Sequence, residues 1–415
     1  MEDNSSQPPT NTTPESESPQ SFPNISPVQR SNRLKKPLIA IVSLLVAGGL
    51  GFGVWYALIK ADPEPVQQTT NTASNKIGYI SENQSGETKP SAIVYAGRKD
   101  DNSQYEIYRK PLDGSSKAVS VLKLSVDDYL TGYQAASQYV ALSVEGKNGP
   151  SVWLSSDSGK MYQKVWSGNA GTGDALGEQI TSLIFSHDQK RLLFAVYGTN
   201  GVNTVKELNL ADTQIKDLFT SDKVGVFLTS YDSAKLELYY TTGCFNCDGN
   251  TGVPLYRRDL LANQETEVVT ATNQYLLSVG VKQDGSELVY ALGAISDEGL
   301  GAGPPYEIFV YDRAIGKATK LLEEADLYVW GTGYGDDGTG YYALGSKIYT
   351  LADKKVLFDA EKTIQRVGYL SKDLVITESG DYPNLQIASY NTSTKQATSL
   401  LSENANTSFI GVVEE

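Results

Sequence analysis

Cys244 and Cys247 form a C-x-x-C pair, and they are the only cysteines in the 415-residue chain. A zinc site needs more soft ligands than this pair supplies, and none lie nearby. A thioredoxin-type pair lies at a helix N-terminus, which lowers the thiol pKa, whereas this pair lies between predicted strands. Outside the cytoplasm a disulfide is the natural state of such cysteines. The sequence therefore predicts a Cys244–Cys247 disulfide, and no metal site.

His187 is the one histidine of the chain, so a Ser-His-Asp or Cys-His triad is excluded unless His187 is its base. It lies in a predicted hairpin turn beside Asp188. That turn falls on the opposite face from the long loops considered below. A surface turn residue with no catalytic role is expected.

Carboxylates recur in the predicted loops, and several such oxygens together can bind Ca²⁺. No D-x-D-x-D-G spacing is present, so an acidic solvated surface is expected and no cofactor is predicted. Exposed aromatic side chains on loops more often anchor a partner. Asp100, Asp101, Asp174 and Asp381 are further acidic loop positions, and the candidate binding residues are Phe245, Asp248, Asp297, Glu298, Tyr306 and Tyr382.

The charge balance narrows the class of partner. The chain carries 35 Lys+Arg against 49 Asp+Glu, a formal net charge of −14, and a pI near 4.7. Binding to nucleic acid relies on clustered basic side chains that neutralise phosphates. A nucleic-acid partner is therefore not expected.

Residues 37–59 form an uncharged apolar run, PLIAIVSLLVAGGLGFGVWYALI. As a helix the run spans about 34 Å, enough to cross a hydrocarbon core of about 30 Å. Arg30, Arg33, Lys35 and Lys36 precede it, which places the N-terminus in the cytoplasm. The run starts too late and is too long for a cleaved signal peptide. The chain is thus expected to be a signal-anchored protein of the plasma (inner) membrane.

The remaining segments complete this domain organisation. Residues 1–36 are rich in Ser, Pro, Asn and Thr and are expected to form a disordered cytoplasmic tail. Residues 60–75 read as a polar linker with Pro63 and Pro65 after the span. Residues 76–415 form the extracytoplasmic domain, extracellular or periplasmic.

That domain is a repeat of paired hairpins. First strands are predicted to start at residues 129, 180, 227, 276, 328, 364 and 409, and three more strands follow each of them except the last. Four strands recurring every 40–50 residues or so are typical of β-propeller blades. The first unit lacks its first strand, and Ser408–Val413 resemble a lone first strand. An all-β propeller of about seven four-stranded blades, closed by the C-terminal strand, is predicted; eight blades would require Ile77–Ile80 to add more than a cap.

The turns SHDQKR (186–191) and KQDGSE (282–287) resemble the S-P-D-G-K turn of TolB-like, WD40-like (PD40) propeller repeats. The usual proline is His187 in one turn and Gln283 in the other. The resemblance implies a protein-interaction or sensing scaffold of the cell envelope. Related propellers also accompany α/β-hydrolase domains, but no G-x-S-x-G nucleophile motif occurs in this chain.

Three long connections are expected to lie together on the face that opens the central channel. They are residues 167–179, 243–254 and 293–305. Long loops in compact domains often carry function. A membrane-anchored module that binds or senses a protein, peptide or glycan is favoured. The alternatives are a carboxylate-dependent enzyme at the channel face, glycan-cleaving or lactonase-like, and a structural subunit of an envelope complex.

Overall fold

The chain divides into two units, Met1–Asn83 and Gln84–Glu415. The computed structural model describes only residues of the second unit: 89–98, 104–113, 116–171, 177–223, 225–243, 254–270, 274–295, 302–324, 327–335, 337–380, 385–402 and 407–414. The predicted tail, membrane span and linker lie outside these residues, as do Ile77–Ile80. Within the described ranges, no helix is long and apolar enough to span a membrane.

The described residues form seven four-stranded antiparallel sheets, which confirms the predicted propeller of seven blades. Blade 1 contains β1 (Pro90–Gly97), β2 (Glu106–Pro111), β3 (Val119–Lys123) and the chain's last strand, β28 (Thr407–Glu414), which is innermost. The other blades follow the chain from the innermost strand outward.

Blade 2 comprises β4 (Tyr129–Ala136), β5 (Tyr139–Glu145), β6 (Ser151–Ser155) and β7 (Gln163–Ser167). Blade 3 comprises β8 (Gln179–Phe185), β9 (Arg191–Tyr197), β10 (Asn203–Asn209) and β11 (Ile215–Ser221). Blade 4 comprises β12 (Val226–Asp232), β13 (Glu237–Thr242), β14 (Leu255–Asp259) and β15 (Gln264–Val269).

Blade 5 comprises β16 (Gln274–Val281), β17 (Glu287–Ile295), β18 (Ala302–Asp312) and β19 (Lys317–Glu324). Blade 6 comprises β20 (Val329–Tyr334), β21 (Gly340–Leu344), β22 (Lys347–Thr350) and β23 (Val356–Asp359). Blade 7 comprises β24 (Ile364–Leu370), β25 (Leu374–Ser379), β26 (Gln386–Asn391) and β27 (Gln396–Ser402).

The core consists of apolar layers between neighbouring blades. In β9, Leu192, Phe194 and Val196 pack against blade 2, whereas Leu193 and Ala195 pack against blade 4. Both faces of the strand are therefore buried. This explains why the middle strands read as continuous apolar runs instead of alternating with polar residues.

The ring closes through β28. It pairs antiparallel with β1 from Pro90–Glu414 to Gly97–Thr407, so the first and last strands of the propeller share one sheet. The innermost strands contact one another in the cyclic order β28, β4, β8, β12, β16, β20, β24 and back to β28. Closure satisfies the backbone groups that an open sheet edge would expose.

Each innermost strand contains a bulge that follows a large apolar residue. The residue after the bulge is Gly or Ser in six blades, namely Gly132, Ser182, Ser230, Ser278, Gly331 and Gly411. In blade 7 the same position holds Arg366. An arginine at this position is therefore the exception among the seven innermost strands, and its long charged side chain needs partners of its own.

Arg366 finds those partners in the closing strand. Its guanidinium donates to the backbone oxygens of Phe409 and Ile410, the latter at 3.3 Å, and lies 5.1 Å from the ring centroid of Tyr133. Glu378, directly opposite Arg366 in β25, accepts a hydrogen bond from the Phe409 N–H at 3.3 Å. The two charged side chains of blade 7 therefore hold both backbone groups of Phe409, at the point where the ring closes.

Glu378 is 7% exposed, and burial raises the pKa of its carboxyl, while the Phe409 N–H and Arg366 partly oppose that rise. Since the folded-state pKa lies above that of the unfolded chain, ionisation of Glu378 opposes folding as pH rises through the folded pKa. We expect the free energy of unfolding of Glu378→Gln, measured relative to the unchanged protein, to be higher at pH 7.5 than at pH 4.5. The reason is that Gln keeps the acceptor oxygen and cannot ionise. Urea midpoints at the two pH values test this, and a variant that is equally destabilised at both would contradict it.

The propeller has two different faces. The loop face carries the connections between blades and those between second and third strands; the turn face carries the first-to-second and third-to-fourth turns. The expected connection 293–305 on the loop face is shorter than predicted, because Ala294 pairs with Gly303 and Ile295 with Ala302. The hairpin of β17 and β18 extends beyond the ends expected from sequence, and only residues 296–301 lie outside the described strands.

Candidate functional site

A polar cleft of about 230 Å³ opens at the loop-face end of blade 3, beside the segment that leads into this blade from blade 2. Its lining comes from the segment joining the two blades and from the β9–β10 hairpin. The lining residues are Glu178, Val196, Gly198, Thr199, Asn200, Val202, Thr204 and Lys206. It borders the first of the three connections predicted to carry function.

The base of that connection is held by reciprocal hydrogen bonds. The Glu178 carboxylate accepts from the backbone N–H of Asn169 at 2.6 Å and from its side-chain amide at 3.1 Å. The Glu178 N–H donates to the Asn169 carbonyl at 3.0 Å. One carboxylate thus both closes the loop and presents an anionic group to the cleft.

Side chains of β10 form the opposite wall of the cleft, because successive residues of a strand point to opposite sides of the sheet. Thr204 and Lys206 point toward blade 2, on the same side as buried Leu208, whereas Val205 and Glu207 belong to the blade 4 side. Lys206 bonds Asp217 of the neighbouring strand at 2.6 Å. The cleft therefore offers an ammonium group, a carboxylate and neutral hydroxyl and amide groups close together.

The β9–β10 hairpin that forms the rim has a tight turn. Gly198 N–H donates to the Val202 carbonyl at 2.9 Å, Gly201 has a φ of 76°, and the Asn200 side chain accepts from the Val202 N–H at 3.1 Å. Glycine and asparagine are the residues such a turn requires. The rim is preformed by local sequence, so its Thr199 and Asn200 side chains stand at a defined place.

Most of the residues predicted to bind a ligand lie outside the described residues. This holds for the Cys244–Cys247 pair and for Phe245, Asp248, Asp297, Glu298 and Tyr382. Tyr306 is described, and it is 7% exposed, with its ring 5.0 Å from that of Tyr328 in an edge-on arrangement. An exposed aromatic at position 306 was expected, and the structure corrects this: Tyr306 fills the layer between blades 5 and 6.

His187 lies in the first turn of blade 3, on the turn face, as expected. It is less exposed than a free turn residue, because it inserts against blade 4. The Nε2 atom of its ring lies 2.6 Å from the Ser230 hydroxyl, and its backbone N–H donates to the Tyr231 carbonyl at 3.0 Å. Burial lowers the pKa of His187, with Asp232 the largest opposing influence. These contacts give His187 a role in joining two blades.

The two turns behind the TolB-like resemblance share one construction. Asp188 accepts from Ser186 and from the Lys190 N–H, while Gln189 takes a φ of 54°. Asp284 accepts from Ser286, and Gly285 takes a φ of 66°. An aspartate that caps a turn followed by a left-handed residue is what the sequence pattern requires.

Two features of the structure were not deduced from the sequence. The cleft joins Glu178, in the connector before β8, to residues of the β9–β10 hairpin such as Lys206, and no local spacing marks it. Arg366 could have been found, since aligning the repeats places it where the other innermost strands have Gly or Ser. Among the described residues, no group of three or more His, Cys, Asp or Glu side chains could hold a metal ion.

No protein-family model matches the sequence, and no curated protein matches it. Among solved structures, TolB from Acinetobacter baumannii shares 15% identity over 76% of this chain and 65% of its own, with a TM-score of 0.43. A prolyl endopeptidase shares 12% identity over 78% of this chain and 51% of its own, with a TM-score of 0.50. An oligogalacturonate lyase in complex with manganese shares 12% identity over 74% of this chain and 73% of its own, with a TM-score of 0.45.

These similarities concern the fold alone, and the chain spans less than two thirds of the TolB and prolyl endopeptidase chains. The class of protein follows from the seven sheets and their closure: the described part of the chain is a seven-bladed β-propeller. TolB propellers are among its structural neighbours.

Proposed function

We propose that this chain is a single-pass, membrane-anchored, extracytoplasmic β-propeller of the cell envelope that binds a protein, peptide or glycan through its loop face. The observation that carries the proposal is the polar cleft at the loop-face end of blade 3, next to the connection 167–179. The charged run before residues 37–59 and the apolar run itself support the anchor and its orientation.

The size and lining of the cleft favour part of a larger ligand. A volume of about 230 Å³ lies below the roughly 300–1,000 Å³ typical of sites that enclose a small molecule. It suits one polar side chain or one sugar unit of a ligand that continues across the loop face. Glu178 and Lys206 supply charges of both signs, which give orientation and specificity to such a contact.

A point substitution in the cleft tests this reading most directly. We expect Lys206→Ala to weaken binding of the ligand about tenfold, or about 1.4 kcal/mol, because a charge-assisted hydrogen bond is lost. Partners are first captured from crosslinked membranes with the full chain, and affinities of the variants for the captured partner are then measured. Lys320→Ala is the matched control, since Lys320 is also a strand lysine that bonds carboxylates, in blade 5.

The loops themselves are tested by shortening them without cutting strands. Residues 170–176, 244–253 and 296–301 are replaced by Gly-Ser turns, which preserves the Asn169–Glu178 closure and the β17–β18 ladder. The control replaces the turn-face segment 392–395 in the same way. A partner retained by the control and lost with the shortened loops supports the proposal; a partner retained by both, with equal affinity in Lys206→Ala and Lys320→Ala, contradicts it.

A further inference from the structure

Large apolar side chains are exposed mainly at one end of the blades. Of the nine that the described residues expose, three lie at the loop face, namely Val126, Tyr129 and Leu327. The other six lie at or beside turns of the turn face: Val119, Met161, Leu236, Leu261, Ile315 and Val356. They are distributed over blades 1, 2, 4, 5 and 6.

The most exposed of them occupy turns between third and fourth strands, at the outer rim of the propeller. Leu261 is 82% exposed, Met161 73% and Ile315 68%. Exposed lysines stand beside two of these positions, Lys160 next to Met161 and Lys317 after Ile315. Each tip therefore combines one projecting apolar side chain with polar or basic neighbours.

The chain also enters the propeller on the turn face. β1 begins at Pro90, which pairs with Glu414 at the end of the closing strand. The predicted span ends at residue 59, so 30 residues separate it from β1. Fully extended, that length reaches at most about 100 Å, enough to allow either face to approach the bilayer. The entry point places the linker at the turn face, and the exposed apolar side chains of that face could be buried at the bilayer surface.

We propose that the turn face rests on the lipid bilayer, with the apolar rim inserted into its interfacial region. The inference rests on the proposed membrane anchor. Side chains such as Leu261 and Ile315 would bury in the boundary between headgroups and acyl chains, and Lys160 and Lys317 would reach phosphates. The loop face and its cleft would then point away from the membrane, open to a ligand.

The arrangement of the tips selects lipid over a protein partner. Protein interfaces concentrate their binding energy in a central, closely packed apolar cluster. Here Met161, Leu261 and Ile315 project from separate turns of three blades, and the corresponding turn of blade 3, which lies between those of blades 2 and 4, has the polar residues Asp212, Thr213 and Gln214 at its tip. A fluid bilayer can accept separated apolar points on a rim, whereas a rigid partner would have to match each one.

Photo-crosslinking in proteoliposomes tests the orientation with the full chain. A photoreactive phenylalanine replaces Leu261, Ile315 or, as the matched control, Leu327, an apolar residue 47% exposed on the loop face. The vesicles contain phosphatidylethanolamine and radiolabelled phosphatidylglycerol. We expect lipid adducts at 261 and 315 to exceed those at 327 at least about fivefold, because only the former enter the interface. All three sites are exposed, so the fold should tolerate the substitutions.

Two other results would overturn the inference. Equal lipid adducts at 261, 315 and 327 would mean that the turn face has no preferred contact with lipid. Adducts at 261 or 315 to a second copy of the chain, in place of lipid, would make this rim a self-association surface. Alkaline carbonate extraction of the same vesicles reports on the anchor separately: release of the chain would refute the anchor, whereas retention with equal lipid adducts would refute only the orientation.

Discussion

Replacing Gly280 with valine is expected to lower the free energy of unfolding by about 3 kcal/mol or more. Gly280 lies in innermost strand β16, against β20 of the next blade. A Cβ at this position would lie 2.3 Å from the Gly333 Cα and 3.0 Å from the Gly333 nitrogen. Both are backbone atoms in a closed ring, so neither strand can move aside without disturbing the blades beyond it. Urea unfolding of the full chain in detergent, followed by circular dichroism, measures the loss.

Gly331→Ala is the matched control for this prediction. Gly331 is also a glycine of an innermost strand, but a Cβ there meets no heavy atom within 4 Å. We expect a change within about 0.5 kcal/mol for this variant. If Gly280→Val and Gly331→Ala unfolded at the same urea concentration, blades 5 and 6 would not be packed backbone to backbone at Gly280 and Gly333.

Arg366→Met is expected to cost about 3 kcal/mol at pH 7.5, the usual cost of removing one partner from a buried charged arrangement. The variant leaves the Phe409 and Ile410 carbonyls without their donor, and it leaves Glu378 buried beside no cation. The loss falls on the contact between blade 7 and β28, where the ring closes. Chemical unfolding at pH 7.5 and 4.5 measures the cost, which should be smaller at pH 4.5, where Glu378 can protonate more readily.

A double-mutant cycle separates the charge effect from lost packing. Glu378→Gln removes the carboxylate that Arg366→Met leaves uncompensated, so the double variant should be more stable at pH 7.5 than the sum of the single effects predicts. Strictly additive effects at both pH values would show that Arg366 and Glu378 do not act together on the closing strand, and would contradict the arrangement proposed for it.

The two faces of the propeller have different proposed roles. The loop face carries the cleft with Glu178 and Lys206, and the proposed binding of a protein, peptide or glycan concerns that face. The turn face carries the exposed apolar rim and the point at which the chain enters, and the proposed contact with lipid concerns that face. The ligand experiment and the lipid experiment use different positions and controls, so each proposal can fail without the other.

Local sequence was enough to predict the architecture. Strands such as β9 and β17 are continuous apolar runs between turns, and those turns place Asp or Gly where a capping carboxylate or a positive φ is needed. These requirements act over a few residues, so they can be identified without a fold. The recurrence of the four-strand unit then predicted seven blades, and Ser408–Val413 as the missing strand, because a lone strand at the end matched a unit without its first strand.

The sites depended on contacts that no local pattern reports. Tyr306 was expected on a loop and is buried, because β17 and β18 pair further than their turn residues indicated. Arg366 meets Phe409 across 43 residues of sequence, and Glu178 and Lys206 line one cleft although about 28 residues separate them. Short-range periodicity determined which segments of this chain become strands and where they turn. Only the tertiary fold decided which side chains meet, because those contacts join strands and loops that the sequence keeps apart.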